Sequence, residues 1–466
     1  MAGYRWQMDR RIGAVALALV VVGCGTPSPS GTSAPEASDA ASFPASAAAI
    51  DVARLRAGLE TLQEIADANG GIRAVGTAGY EASVDAMAAS LEDIGFGVET
   101  PSVPFTGFIE LPGASLEVAD ATFDAPDELH ALIYSASGDV TGPVAVLDES
   151  GCDAADFAGV PARAIVLTTR GGCFRRQQAL NAAAADAVAF VVGYPGRGPG
   201  EIYRPTLIDP AGIDIPVVSV TDEGVRALTA AEGEDAHLAI ETQREPATLR
   251  NVIGSLGDGP NVLMLGAHLD SVLDGPGIND NGSGVVALLE VARGMVEAGV
   301  PDGWTVRIGL WGGEEFGDIG SRAYAESSAG DVAAYLNLDM TGSLNGATLV
   351  YEEAGAPEGS EEITSTYEAW LDDRGEPHAP VDIGGSSDHF AFGQAGVPTG
   401  GLFSGAGDTG SAAQPAASGS SAEPPDACYH LACDDIDNVD VDRVALFAAA
   451  TFGVAYALME SGFGAP

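Results

Sequence analysis

The sequence predicts an α/β fold, a mixed and mostly parallel central sheet flanked by helices, interrupted by a small inserted α+β/β domain. Three observations carry this expectation. After Leu249, apolar runs of strand length alternate with amphipathic stretches of helical period. Acids and histidines follow the ends of several such runs, where loops leaving an open sheet gather functional groups. From about Leu111 to Glu241 the texture changes to short β-like runs with no recurring acid–histidine cluster.

Taken in order, Asp51 to Ala68 places Val52, Leu55, Leu59, Leu62 and Ile65 at helical spacing. Glu81 to Ile94 does the same with Val84, Met87, Leu91 and Ile94; Asn69–Thr77 between them reads as a loop, and Phe96–Thr100 as a strand. In the inserted region, Ala131–Tyr134, Val144–Leu147, Ala164–Leu167 and Val188–Val192 read as strands, and Gln177–Ala187 as a helix. The later alternation gives strands Asn261–Ala267, Thr305–Trp311, Ala333–Met340 and Ala347–Tyr351. Helices are expected from about Val285 to Ala298, Glu361 to Asp372 and Asp442 to Met459, with Thr409–Pro425 a low-complexity loop. The principal domain is therefore assigned to residues 50–110 and 245–466, and the insert to residues 111–244.

The N-terminus speaks for export. Arg5, Arg10 and Arg11 precede the apolar run Ile12–Val22, too short for a comfortable membrane span but right for a signal peptide. Its end, Val21-Val22-Gly23-Cys24, resembles a bacterial lipoprotein signal over residues 1–24, with Cys24 as the lipidated first residue. A plain signal peptide or an uncleaved anchor is the alternative. Residues 25–49, rich in Ser, Ala, Pro and Thr, read as a flexible tether. The expected place is extracellular: a cell-surface lipoprotein, or a secreted protein. Removing Cys24 from five cysteines leaves four, and proximity pairs Cys152 with Cys173 and Cys428 with Cys433.

Sixty-seven acids against 20 bases, all arginine, give a formal charge of −47. Such a field argues against nucleic acid or an anionic membrane surface as partner, leaving membrane contact to the lipid anchor alone. A monomer is expected.

The chemistry collects around Gly266–Gly284, GAHLDSVLDGPGINDNGSG, which lies between two apolar runs and holds His268, Asp270 and Asp280. Trp311 leads to Glu314 and Glu315, Leu338 to Asp339, and Tyr429-His430 stands between paired cysteines. His, Asp, Glu, Asp and His, each at the carboxyl end of an apolar run or in an ordered loop, have the size and chemistry of a two-metal site, and imidazoles with carboxylates fit zinc. Neighbouring residues leaving a strand point in different directions, so one glutamate can ligate while the other faces a substrate. A solvated acidic pair is the plain alternative for Glu314 and Glu315.

HLDS, GINDNGSG, WGGEEFGDIGS, NLDMTGS, SSDHFAF, GVPTGGLFSGAG and CYHLACD resemble the secreted bacterial leucyl aminopeptidase family of di-zinc exopeptidases. The resemblance spans roughly Asp51–Phe105 and Leu249–Leu458, and Cys152–Tyr194 is similar to the protease-associated insert of many members. It implies a zinc-exopeptidase fold and two Zn2+ per chain, one on His268, Asp280 and Asp339, the other on Asp280, Glu315 and His430. It also implies Glu314 as general base, Asp270 orienting the His268 imidazole, and Tyr429 donating to the oxyanion. The substrate would be the N-terminus of a peptide or protein, with an apolar, leucine-like first residue, cut by metal-activated water. The pattern departs at Ser386, where the closest members carry an arginine that helps hold the substrate backbone.

Phe390 and Phe403 are candidates to line the side-chain pocket, His389 is expected to be structural, and His130, His237 and His378 are expected on the surface. The acidic run Asp434–Asp442 offers a candidate Ca2+ site. Rival readings are a carboxypeptidase for acidic C-termini, a glutaminyl cyclase, and a non-catalytic metal-binding surface protein.

Overall fold

The computed structural model describes residues 50–169, 171–193, 202–407 and 424–464. The expected signal, the Cys24 anchor, the tether and most of the Thr409–Pro425 loop lie outside them. Among the described residues the strands form two eight-stranded sheets and one two-stranded ribbon.

The first sheet runs Gly97–Glu99, Val252–Gly257, Trp304–Trp311, Asn261–His268, Val332–Asp339, Thr399–Phe403, Leu349–Tyr351 and Ala379–Val381 across its width. Its four central strands, from Trp304–Trp311 to Thr399–Phe403, are parallel. Antiparallel neighbours flank them on both sides, which makes the sheet mixed. Alternate residues of one strand enter different cores, as the pleat requires. Leu263, Leu265 and Ala267 join the large cluster with the helices Val52–Ala68, Gly284–Ala298 and Val441–Ser461. Val262 and Met264 join a smaller one with Trp311, Tyr335, Ala391 and Phe392. Both faces are covered, so these strands read as continuous apolar runs.

Local chemistry sets the boundaries. The Asp51 carboxylate caps the first helix by accepting from Ala53 and Arg54 N–H groups. The Thr77 hydroxyl accepts from Tyr80 N–H, so the second helix begins at Ala78, earlier than its apolar face suggests. It ends at Gly95, whose φ of 116° suits a residue without Cβ. The expected strand Ala131–Tyr134 is observed as Leu129–Ala131, because Tyr134 turns into the left-handed region at φ 73°.

The second sheet lies within residues 115–240 and has a parallel centre formed by Gly138–Val146, Ile165–Thr168, Ala189–Gly193 and Val217–Val220. The chain enters and leaves it through the ribbon, Ser102–Glu110 paired antiparallel with Thr242–Arg250. Both disulfides have formed, Cys152–Cys173 and Cys428–Cys433.

One histidine is misplaced by sequence reasoning. His130 is 7% exposed rather than on the surface. Its Nδ1 lies 2.7 Å from the Arg204 guanidinium, with Glu110 and Asp274 each 3.7 Å from its ring nitrogens. His237 and His378 are half-exposed.

Candidate metal centre and active site

His268 and Asp339 are the last residues of adjacent parallel strands, and Glu314 and Glu315 follow the strand on the other side of His268. Parallel pairing puts the three carboxyl ends at one edge of the sheet. Asp280 comes from the Ile278–Ser283 turn that opens the Gly284–Ala298 helix, and His430 from the disulfide-closed loop.

These elements bring all five sequence-predicted ligands together. His268 Nε2 lies 3.1 Å from Asp280 Oδ1 and 3.4 Å from Asp339 Oδ1. His430 Nε2 lies 3.2 Å from Asp280 Oδ2 and 3.3 Å from Glu315 Oε2. The two oxygens of Asp280 are thus divided between two imidazoles, each backed by another carboxylate. Glu315 Oε1 and Asp339 Oδ1 are buried without a hydrogen-bond partner among the described residues. Buried carboxylate oxygens left without donors are costly unless a cation faces them. Two imidazoles and three carboxylates suit zinc, so the donor set fits that metal.

The electrostatics follow from burial and crowding. Burial opposes charge on His268, but Asp339 and Asp280 overcome it and raise the imidazole well above its ordinary value. His430 is likewise pulled against its burial to about 10, by Glu315 and Asp280. Burial also opposes ionisation of Asp280, yet hydrogen bonds from the two imidazoles hold its carboxyl below the usual range. Glu314 is pushed well above the carboxylate range by burial, which outweighs the opposing charge of the His268 imidazole and is reinforced by that of Glu315.

Asp270 stands beside the His268 imidazole that it was expected to orient and makes further contacts. His268 Nδ1 is hydrogen-bonded to the Asp270 backbone carbonyl at 3.1 Å, while the carboxylate stands 3.9 Å away. Asp270 Oδ1 accepts the backbone N–H groups of Gly313, at 2.9 Å, and Glu314, at 3.2 Å. The side chain therefore fixes the turn that presents Glu314.

Two supports were not recognised as such from the sequence, which offered Asp434 only as part of a candidate Ca2+ run. Arg73, fully buried, donates to the carbonyls of Leu269, Pro276 and Gly277, bracing the loop between His268 and Asp280. Asp434 accepts the N–H groups of Asn279 and Asp280. Further along the acidic run, Asp435 accepts from Asp437 N–H and Asp440 from Arg443 N–H, while Asp437 and Asp442 remain exposed. An arginine followed by an alanine, or an acid after a cysteine, carries no sequence signal for such bracing.

A cavity of about 460 Å³ opens over Glu314, Asp280 and His430. Met340, Ile383, Phe390 and Phe403 line it with apolar surface, and Ser386 and Tyr429 also face it. Tyr429 lies against His430, ring centroids 3.8 Å apart. His389 is buried, its Nε2 2.6 Å from Glu353 Oε1.

Residues 251–455 match the model of peptidase family M28, and residues 140–228 match that of the PA domain. An aminopeptidase of Pseudomonas aeruginosa is 35% identical over 419 residues, covering 84% of this chain and 78% of that protein. A probable lipoprotein aminopeptidase, LpqL, of Mycobacterium tuberculosis is 38% identical over 427 residues, covering 87% of this chain and 83% of that protein. Among solved structures, a zinc aminopeptidase from Bacillus subtilis superposes with a TM-score of 0.66 at 25% identity, covering 87% of this chain and 94% of that one.

Proposed function

The chain belongs to peptidase family M28 and carries a PA domain insert, and from that premise we propose that it is a two-zinc aminopeptidase acting on peptide N-termini. The observation that carries the reading is Asp280, whose oxygens stand between His268 and His430 with Asp339 and Glu315 behind them. His268, Asp280 and Asp339 would hold one ion, and Asp280, Glu315 and His430 the other. Bound zinc supplies Lewis acidity toward water and the scissile carbonyl.

The chain's own residues do the rest. Glu314, unligated and with a raised carboxyl pKa, takes the proton of the attacking water and returns it to the leaving amine. Tyr429, facing the same cavity, donates a hydrogen bond to the developing oxyanion. Asp270 holds the Glu314 backbone in place. Met340, Ile383, Phe390 and Phe403 favour an apolar, leucine-like first side chain.

The insert occupies residues 111–244, and the enzyme works as a monomer outside the cell, anchored through a lipidated Cys24; the lipoprotein relative supports that placement. The test is zinc content together with hydrolysis of leucine p-nitroanilide. Two ions per chain and turnover support the reading, and zinc uptake without turnover of any aminoacyl anilide would replace it with a non-catalytic metal-binding protein.

A further inference from the structure

The Tyr203–Ile208 segment, inside the stretch matched by the PA domain, touches three of the four stretches that carry the metal-binding and proton-transferring side chains, all but the one ending in Asp339. Arg204 makes a two-armed ion pair with Asp274, at 3.0 and 3.1 Å, in the loop between His268 and Asp280. The Thr206 hydroxyl donates to the carbonyl of Phe316, the residue after Glu315, at 3.2 Å. Ile208 lies so close to Gly317 that a Cβ there would come within 2.9 Å of the Ile208 carbonyl oxygen. Tyr203 meets the third loop: its ring stands edge-on to Tyr429, centroids 5.7 Å apart at 70°, and to His430, 5.8 Å apart at 86°.

The strap is tied down on its other side. Ile133 N–H donates to the Pro205 carbonyl at 3.1 Å, Leu207 N–H to the Ile133 carbonyl at 3.0 Å, and the Ser219 hydroxyl to the Tyr203 carbonyl. His430, by contrast, holds a left-handed backbone at φ 60°, which an L-residue keeps only when its surroundings impose it. Its disulfide ring fixes the ends of that loop, and the Tyr429 and Tyr203 rings pack its imidazole. Arg204, Pro205, Thr206 and Ile208 line the cavity, whereas Tyr203 stands behind Tyr429 and His430.

We propose that Tyr203 is a positioning residue for the metal centre, through which the PA domain locks the Tyr429–His430 pair and completes the second zinc site. This rests on the reading of His430 as a zinc ligand. Edge-to-face aromatic contacts are directional, so the ring sets the orientation of the imidazole as well as covering it. Because Tyr203 acts through the ligand and not on the substrate, its loss is felt in metal retention and kcat and not in KM.

The test titrates the metal-free full chain with zinc against a chromophoric chelator, for wild type, Tyr203→Ala and Tyr203→Phe, alongside kcat and KM for leucine p-nitroanilide. Wild type takes up two ions. Tyr203→Ala weakens one of them roughly 10- to 100-fold and lowers kcat, as loss of a ligand's supporting partner does, with KM unchanged. Tyr203→Phe keeps the ring edge and restores both. Tyr203→Leu, which keeps most of the volume without the aromatic edge, serves if the alanine variant does not fold, and behaves as Tyr203→Ala should. Wild-type zinc affinity in the alanine or leucine variant, or a rise in KM alone, overturns the proposal. A wild-type chain that takes up no zinc overturns the underlying reading of the site, and this inference with it.

Discussion

Asp434 Oδ2 accepts the backbone N–H of Asp280 at 3.0 Å, and its Oδ1 accepts that of Asn279 at 2.9 Å. A carboxylate on two successive amides fixes the peptide that carries the proposed shared ligand, and burial lifts its own pKa to about 7. Asp434→Asn replaces one acceptor by a donor facing an N–H. We expect zinc affinity to fall by roughly 10- to 100-fold, the usual cost of losing a ligand's supporting partner. Competition against a chelator measures it, and unchanged affinity would remove Asp434 from the metal cradle.

Glu314→Gln should retain both ions while kcat falls by roughly 10²- to 10⁴-fold, the range that positioned proton transfer contributes. Metal content and kcat measured on the same sample decide it. Near-normal turnover would end the general-base assignment.

Chelation should abolish hydrolysis of leucine p-nitroanilide, and added zinc should restore it, because the five ligand side chains otherwise face one another without a cation. Activity that persists in a sample shown by elemental analysis to be metal-free is the contrary result.

Arg73 donates to three loop carbonyls while fully buried. Arg73→Ala would leave those acceptors unpaired beside a cavity, costing about 3 kcal/mol or more of stability. Arg73→Lys, lacking the planar fork, should recover only part of this. Chemical denaturation of the metal-free chain gives the numbers; a loss below about 1 kcal/mol for the alanine variant contradicts the bracing role.

Asp388 is buried with neither carboxylate oxygen hydrogen-bonded among the described residues, since the neighbouring Ser321 hydroxyl donates to the Asp318 carbonyl. Burial raises its pKa well above the ordinary 3.8. The folded chain therefore holds a proton that the unfolded chain releases, and stability is lost as pH rises above the unfolded value. Asp388→Asn, neutral at every pH, should raise the stability of the metal-free chain at pH 7, because the amide is spared the proton uptake that burial forces on the carboxyl. The gain should shrink toward pH 4. Melting curves across that range test it, and a gain that grows on acidification has the wrong sign.

The central strands and the clustering of the five candidate ligands were legible because each of these residues follows a long apolar run or sits in a distinctive motif, as His268 follows Asn261–Ala267. The ribbon was not. Ser102–Glu110 and Thr242–Arg250 are largely solvent-facing, so little apolar alternation marks them as strands. His130 was misread because its partners come from distant stretches: Arg204 is 74 residues away and joins Asp274 from the other sheet's loop. Arg73 passed unnoticed because its work is done on backbone carbonyls that a sequence does not display, and the contacts of Asp270 to backbone amides were hidden for the same reason.

Glu110 and Thr242 face each other at the far end of the ribbon. The chain thus departs toward the second sheet and returns to the same doorstep, one strand spacing apart. The seam is narrow enough for a tight turn to span, so a relative's module can be exchanged for this one at a single place, provided it brings its own counterpart of Tyr203 to the His430 loop.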